Sequence, residues 1–318
     1  MPAKPLFGVI LVLLIGHGAA AIAAEPPVID PMQTLRDKLA AKLGAAKAPD
    51  GKGELVVRAG TKAAADTAGG TTAAAEPAPG RAAKPAGPRA APRPVPHWSY
   101  DGEGGPQAWA RLKPEFATCA SGMRQSPIDI RDGIRVDLDP VQFDYRPTAF
   151  RVIDNGHTVQ INVAPGNTIE VMGRRYELLQ FHFHRPSEER IDGRHFDMVA
   201  HLVHEGPQGR LAVVAVLLER GGAHPLVQAV WNNLPLEKGE EVPARAPLDL
   251  NQLLPKDSRY YTFMGSLTTP PCSEGVLWMV MQQPVTISAE QIDVFARLYP
   301  MNARPVQQPG GRLIKQSN

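Results

Sequence analysis

The chain has 318 residues, of which 43% are hydrophobic and 21% charged, with a formal net charge of +2. That near-neutral balance, with basic residues that form no aromatic-interleaved patch, argues against a nucleic-acid partner. The length suits a targeting segment, a spacer and one sizeable domain.

Residues 1–24 read as a secretory signal peptide, with Lys4 in a short basic region, an apolar run from Leu6 to Ile15, and small residues at Ala21-Ile22-Ala23. The apolar run is short for a membrane span of roughly 20 residues; an uncleaved anchor is the alternative. No cysteine stands near the cleavage site, so lipoprotein processing has no residue to act on. The expected product is periplasmic or secreted and does not span a membrane. Residues 25–48 form an arm in which Asp30-Pro31 starts a helix and Met32, Leu35, Leu39 and Leu43 recur at helical spacing until Gly44. Such a helix is marginal alone. Residues 30–44 are a candidate for self-association, against the alternative of a frayed helix. Residues 49–96, rich in Ala, Gly, Pro and Thr, lack the apolar surface to order themselves and read as an extended linker.

From His97-Trp98 to residue 318 the texture is that of one strand-rich domain. Phe150 to Val163, Thr168 to His184, Met198 to His204, Leu211 to Leu218 and Gly275 to Met281 are strand candidates, separated by turn signals such as Asn155-Gly156 and Asp192-Gly193. Pro225 to Asn233 and Ser288 to Leu298 read as helices, the second with Ser288 and Gln291 spaced as a capping box. The expected fold is α+β, mainly β: a large central, mostly antiparallel twisted sheet with short peripheral helices.

His182 and His184 stand at i and i+2 in Gln180-Phe181-His182-Phe183-His184. On a helix they would point about 200° apart; on a strand they share one face. His201 lies in a second strand-like run, and an antiparallel neighbour would bring it to the same spot. Three imidazoles leave the fourth position of a tetrahedral zinc open, the layout of a catalytic site. Another transition metal fits the same spacing. A lone strand histidine is ordinarily packed or solvated, and His17, His97, His195 and His224 take that reading. Cys119 and Cys272 are the only cysteines. In an exported protein they most economically form one bridge, with two buried thiols as the alternative; neither is clustered as a metal ligand would be.

The domain resembles the α-class carbonic anhydrases of the exported bacterial kind over essentially all of 97–318. The motifs are His97-Trp98-Ser99-Tyr100, Gln125-Ser126-Pro127-Ile128, Asn155-Gly156-His157, Gln180-Phe181-His182-Phe183-His184, Pro186-Ser187-Glu188, His201-Leu202-Val203-His204, Leu267-Thr268-Thr269-Pro270-Pro271-Cys272 and Asn302-Ala303-Arg304-Pro305. The resemblance implies Zn2+ held by His182, His184 and His201, and hydration of carbon dioxide to bicarbonate and a proton by a zinc-activated hydroxide. It implies that Thr268 and Glu188 aim the nucleophile and that His157 shuttles protons, as an imidazole titrating near neutrality can. Val203, Val213, Leu267 and Trp278 match the apolar substrate pocket and Thr269 a cavity position beside bicarbonate, while Tyr100, Asn155 and Gln160 match polar cavity residues. Gln180 and the backbone of Asn302 match the partners that orient His182 and His184, and Cys119 and Cys272 match the bacterial disulfide.

The chain departs from the pattern at Val199, where the family usually has a glutamate two residues before the third zinc histidine. His201 therefore lacks the orienting acid that the resemblance would supply from its own strand. Glu189 replaces a histidine common after Glu188 and is a candidate to stand in; Phe263 stands where animal relatives have tyrosine. A non-catalytic binding or scaffold module on the same fold is the alternative function, although such relatives typically lose zinc histidines that this chain keeps.

Overall fold

The computed structural model describes residues 96–318. The segments read as signal peptide and arm, and all but Pro96 of that read as linker, lie outside the described residues. Short helices α1 (Trp109–Leu112) and α2 (Thr118–Ser121) precede the strands. The strands then run β1 (Asp129–Ile130), β2 (Ile134–Val136), β3 (Gln142–Asp144), β4 (Phe150–Asp154), β5 (Val159–Val163), β6 (Thr168–Val171), β7 (Arg174–His184), β8 (Arg190–Ile191), β9 (Met198–Gly206) and β10 (Arg210–Arg220). Helix α3 (Pro225–Trp231), β11 (Glu241–Pro243), β12 (Tyr260–Ser266), β13 (Glu274–Met281), β14 (Val285–Ile287), α4 (Ala289–Leu298) and β15 (Lys315–Ser317) complete the chain.

One 13-stranded sheet carries the order β11-β4-β5-β7-β9-β10-β13-β12-β15-β2, with β3, β6 and β14 paired off that path. It is antiparallel except where β10 meets β13 and β14 and where β15 meets β2. The expected architecture is found; Phe150–Val163 and Thr168–His184 are each divided into two strands by a turn, and β12 adds a strand that was not expected. Both longer helices are as read from the sequence. In α4 the Ser288 side chain accepts from the Gln291 N–H, while the Gln291 side chain accepts from the Ser288 N–H. This capping box satisfies two N–H groups that a helix start otherwise leaves bare.

The sheet separates two apolar layers. On one face Phe181, Phe183, Ala200, Leu202, Val214 and Val216 pack with Leu226, Val230 and Trp231 of α3 and with Ile292 and Phe295 of α4. The opposite face carries Val199, Val203, Val213, Ala215, Trp278 and Phe263. Central strands buried on both faces lose the apolar–polar alternation of a half-exposed sheet, so β9 reads as a continuous apolar run with histidines set into it. Among the described residues, no helix is long and apolar enough to cross a membrane.

Candidate active site

Register assembles the site. His182 in β7 stands directly opposite His201 in β9, and Gln160 in β5 stands opposite His182. His184 faces Val199 one step along. Because i and i+2 share a strand face, His182, His184 and His201 all project from the second apolar layer's side. A register shift between Leu178 and Gln180 makes this possible. Leu178 sits in the helix-side core, and the extra residue returns Gln180, His182 and His184 to the other face, the re-aiming that a β-bulge performs.

One ligating nitrogen from each of the three histidines lies within 4.8 Å of the others. Their remaining nitrogens are engaged. Nδ1 of His182 meets Gln180 Oε1 at 2.9 Å, and Nδ1 of His184 meets the Asn302 carbonyl at 2.7 Å. Nε2 of His201 meets Glu189 Oε2 at 3.1 Å. A ring nitrogen that donates to a carbonyl or carboxylate oxygen must carry the proton, so in the neutral ring the other nitrogen keeps its lone pair. That leaves Nε2 of His182, Nε2 of His184 and Nδ1 of His201 as the atoms that could hold a metal ion. His184 Nε2 is buried without a hydrogen-bond partner, a condition that a metal ion relieves. Burial, with the neighbouring His201, lowers the His182 pKa to about 3 and drives His184 well down. Both rings are therefore neutral, as metal ligands must be.

Glu188 and Thr268 stand beside the triad. Glu188 is 1% exposed; its Oε1 accepts the Arg304 backbone N–H at 2.7 Å, and its Oε2 lies 3.5 Å from His184 Nε2. Burial raises the Glu188 pKa to about 7, against the lowering effect of His201; Glu189 adds to the rise, and the Thr268 hydroxyl and Arg304 N–H oppose it. Thr268 is buried in the loop after β12. Val203, Val213 and Trp278 form one row across β9, β10 and β13, beside the row that carries His201. Leu267 packs against that layer, and the Trp278 ring stands edge-on to His201 with centroids 5.0 Å apart. The result is an apolar wall next to the imidazoles. Thr269 is half-buried in the same loop, and its carbonyl accepts the Cys272 N–H at 2.9 Å.

The polar side is built on the β4–β5 hairpin. Asn155 Oδ1 accepts the N–H groups of His157 and Thr158, each at 3.0 Å, an Asx turn that Gly156, with φ of +85°, completes. Asn155 Nδ2 donates to Gln160 Oε1 at 3.2 Å. His157 is half-buried and stacks on Trp98, with centroids 3.5 Å apart and rings tilted by 10°. Burial, followed by the charges of His97 and Lys238, lowers its pKa to about 4. Burial and the charge of Glu188 together hold the Tyr100 phenol well above its usual range, so it stays neutral.

Cys119 and Cys272 are bridged, with Cα atoms 5.0 Å apart. The bridge fastens α2 to the loop that carries Thr268. Of the other histidines, His224 caps α3 by accepting the Val227 N–H, and His195 meets the Ser187 carbonyl at 3.1 Å; neither joins the triad.

Two features escape the reading of the sequence. Arg304 is 4% exposed and donates to Gln125 Oε1 at 3.0 Å, to the Ser126 carbonyl at 2.7 Å and to the Cys119 carbonyl at 3.0 Å. It thus ties the chain terminus, the Glu188 anchor and the disulfide together, and its place in a short motif ending in proline was the available signal. His204 projects to the opposite sheet face and pairs with the Tyr145 hydroxyl at 2.7 Å, a contact between positions far apart in sequence with no local signature.

The family described as eukaryotic-type carbonic anhydrase matches residues 104–318. A carbonic anhydrase of Pectobacterium carotovorum is 43% identical over 219 residues, covering 69% of this chain and 90% of its own length. A hyperthermostable carbonic anhydrase from an active hydrothermal vent chimney superposes with a TM-score of 0.68 at 42% identity, covering 70% of this chain and all of its own. The α-carbonic anhydrase of Thermovibrio ammonificans, solved with the inhibitor sulfanilamide, has the same TM-score at 40% identity, covering 69% of this chain and 98% of its own. Family, fold and site agree: the chain belongs to the α-carbonic anhydrases, enzymes that hydrate carbon dioxide.

Proposed function

We propose that His182, His184 and His201 hold zinc and that the domain interconverts carbon dioxide and bicarbonate through the residues around them. The convergence of three imidazoles, each oriented through its other nitrogen, carries this reading. Zinc supplies Lewis acidity there, enough to bring the pKa of a water to about 7. Thr268 donates to the Glu188 carboxylate, which when charged only accepts. The Thr268 lone pairs are then left to accept from the attacking oxygen, which fixes its orientation. Val203, Val213, Leu267 and Trp278 exclude water from the side where an uncharged, weakly polar substrate approaches.

His157 relays the released proton, with Tyr100, Asn155 and Gln160 ordering water toward it and Thr269 bordering the bicarbonate. A ring with a pKa near 4 sheds a proton readily but gains one poorly. Moving off the Trp98 face would relieve that burial and return its pKa toward 6.5. A His157→Ala variant should slow chiefly in dilute buffer, with added imidazole restoring it; unchanged turnover in dilute buffer would rule the relay out.

Residues 1–24 direct export to the periplasm or beyond, the cysteines being oxidised there. Residues 30–44 associate chains, and 49–96 space them from the domain at 97–318. Sedimentation of the chain from residue 25 against 97–318 tests the association, and two monomers would end it. The direct test of the site is His201→Ala. Zinc and hydration activity should be lost together, and full activity in that variant would sink the assignment.

A further inference from the structure

We propose, on the reading that the triad holds zinc, that Glu189 is the positioning carboxylate of His201, taking from a loop the task for which β9 has no acid. Val199 lies two residues before His201 on the same strand face, opposite His184 in β7 and Leu217 in β10. It is fully buried in the apolar layer, so no charged group comes from that position. The acid arrives instead from the chain between β7 and β8. Glu189 is 0% exposed, and its Oε2 stands 3.1 Å from His201 Nε2.

The loop is held for this purpose. Ser187 Oγ donates to the Glu189 carbonyl at 2.8 Å and accepts the Phe196 N–H at 2.9 Å. Directly after Glu189, the Arg190 N–H donates to the Ile128 carbonyl at 3.2 Å, and β8 pairs with β1. Glu189 therefore cannot drift from the ring by more than its own side chain allows. The adjacent acid takes the other edge of the same imidazole: Glu188 Oε2 is 3.8 Å from His201 Nδ1. Sequence neighbours thus divide the ring, one aiming it and one standing beside its ligating edge.

Dependence runs both ways. The other oxygen, Glu189 Oε1, is buried and makes no hydrogen bond, so among the described residues the His201 N–H is the one donor its carboxylate has. A buried carboxylate with a single donor is tolerated because that donor is well placed. In return it fixes which His201 nitrogen is protonated and raises the basicity of the other.

The experiment compares zinc release from the loaded parent chain and from Glu189→Gln, read by transfer to a chelator. Release should be ~10–100-fold faster in the variant. Release within about threefold of the parent would overturn the proposal. A Val199→Ala control trims the same ring's surroundings without touching the carboxylate and should release zinc at the parent rate; equal acceleration in both would assign the effect to packing and overturn it too. A second measurement needs no loss-of-stability correction. In the 15N-labelled, zinc-loaded parent, His201 should carry its proton on Nε2 as a low-field signal that moves upfield in Glu189→Gln. A His201 protonated on Nδ1, or a signal indifferent to the substitution, would refute the role. Should the parent itself take up no stoichiometric zinc, it is the zinc reading that fails.

Discussion

Removing the Cys119–Cys272 bridge should cost the domain much stability and little chemistry. The cysteines are 153 residues apart, and the chain-entropy relation for a loop of that length gives about 17 cal/mol/K, or about 5 kcal/mol at 25 °C. The native side changes less. Cys272 packs with Trp109, Leu112 and Phe116 in a small satellite cluster. The loop that carries Thr268 has independent fastenings: Gln125 Nε2 donates to the Cys272 carbonyl at 3.1 Å, and the Leu267 N–H to the Ser273 carbonyl at 3.0 Å. Alanine at both positions avoids placing a hydroxyl among those apolar rings. Urea unfolding of the zinc-free chain is the assay, since bound metal would add its own stabilisation. With a slope of about 3 kcal/mol/M, the midpoint should fall by roughly 1.5–2 M, while hydration activity of the loaded variant at 25 °C changes far less. A midpoint within about 0.3 M of the parent would refute the chain-entropy argument. An inactive but equally stable variant would show that the bridge shapes the site rather than the unfolded state.

Three further perturbations probe separate parts of the account. A Cβ at Gly265 would meet Ser126 Oγ and the Trp278 ring at distances far inside contact, so Gly265→Ala should destabilise by about 1–3 kcal/mol and lower activity by displacing the apolar wall; a thermal melt and activity equal to the parent would contradict that packing. Thr268→Ala should keep zinc at one per chain while hydration falls about 100-fold, the penalty of a misdirected nucleophile; activity within about threefold would remove Thr268 from the mechanism. Burial lowers the His204 pKa to about 3, so between pH 3 and 6.5 the unfolded chain binds a proton that the folded one refuses, and stability falls as pH drops through that window. His204→Gln removes this contribution, and its unfolding free energy between pH 4 and 6 should depend on pH less steeply than the parent's by about 1.4 kcal/mol per unit; parallel slopes would show that His204 titrates normally.

The sequence discloses the site better than it discloses what supports it. His182 and His184 are legible because an i, i+2 pair has one meaning on a strand, and the flanking phenylalanines show which face is core. The long strands and both capped helices follow from apolar periodicity and turn residues. Strands β1, β2, β3, β8, β11 and β15 are too short to show a period, and β12 is buried on both faces and broken by a register shift at Gly265/Ser266. That Leu178 and Gln180 share a parity yet face opposite sides is a property of pairing, invisible in one strand alone. Val199 marks a missing acid and Glu189 a candidate to stand in, but only the fold shows Glu189 Oε2 at 3.1 Å from His201 Nε2. Arg304 and the Tyr145–His204 pair are likewise products of topology.

The most direct test of the central claim is stopped-flow carbon dioxide hydration by the purified chain at a verified zinc content near one per molecule. Fast hydration that a sulfonamide abolishes is the predicted result, with Glu189 supporting His201 in place of an acid at 199. A zinc-loaded chain that leaves the uncatalysed rate unchanged would contradict the account.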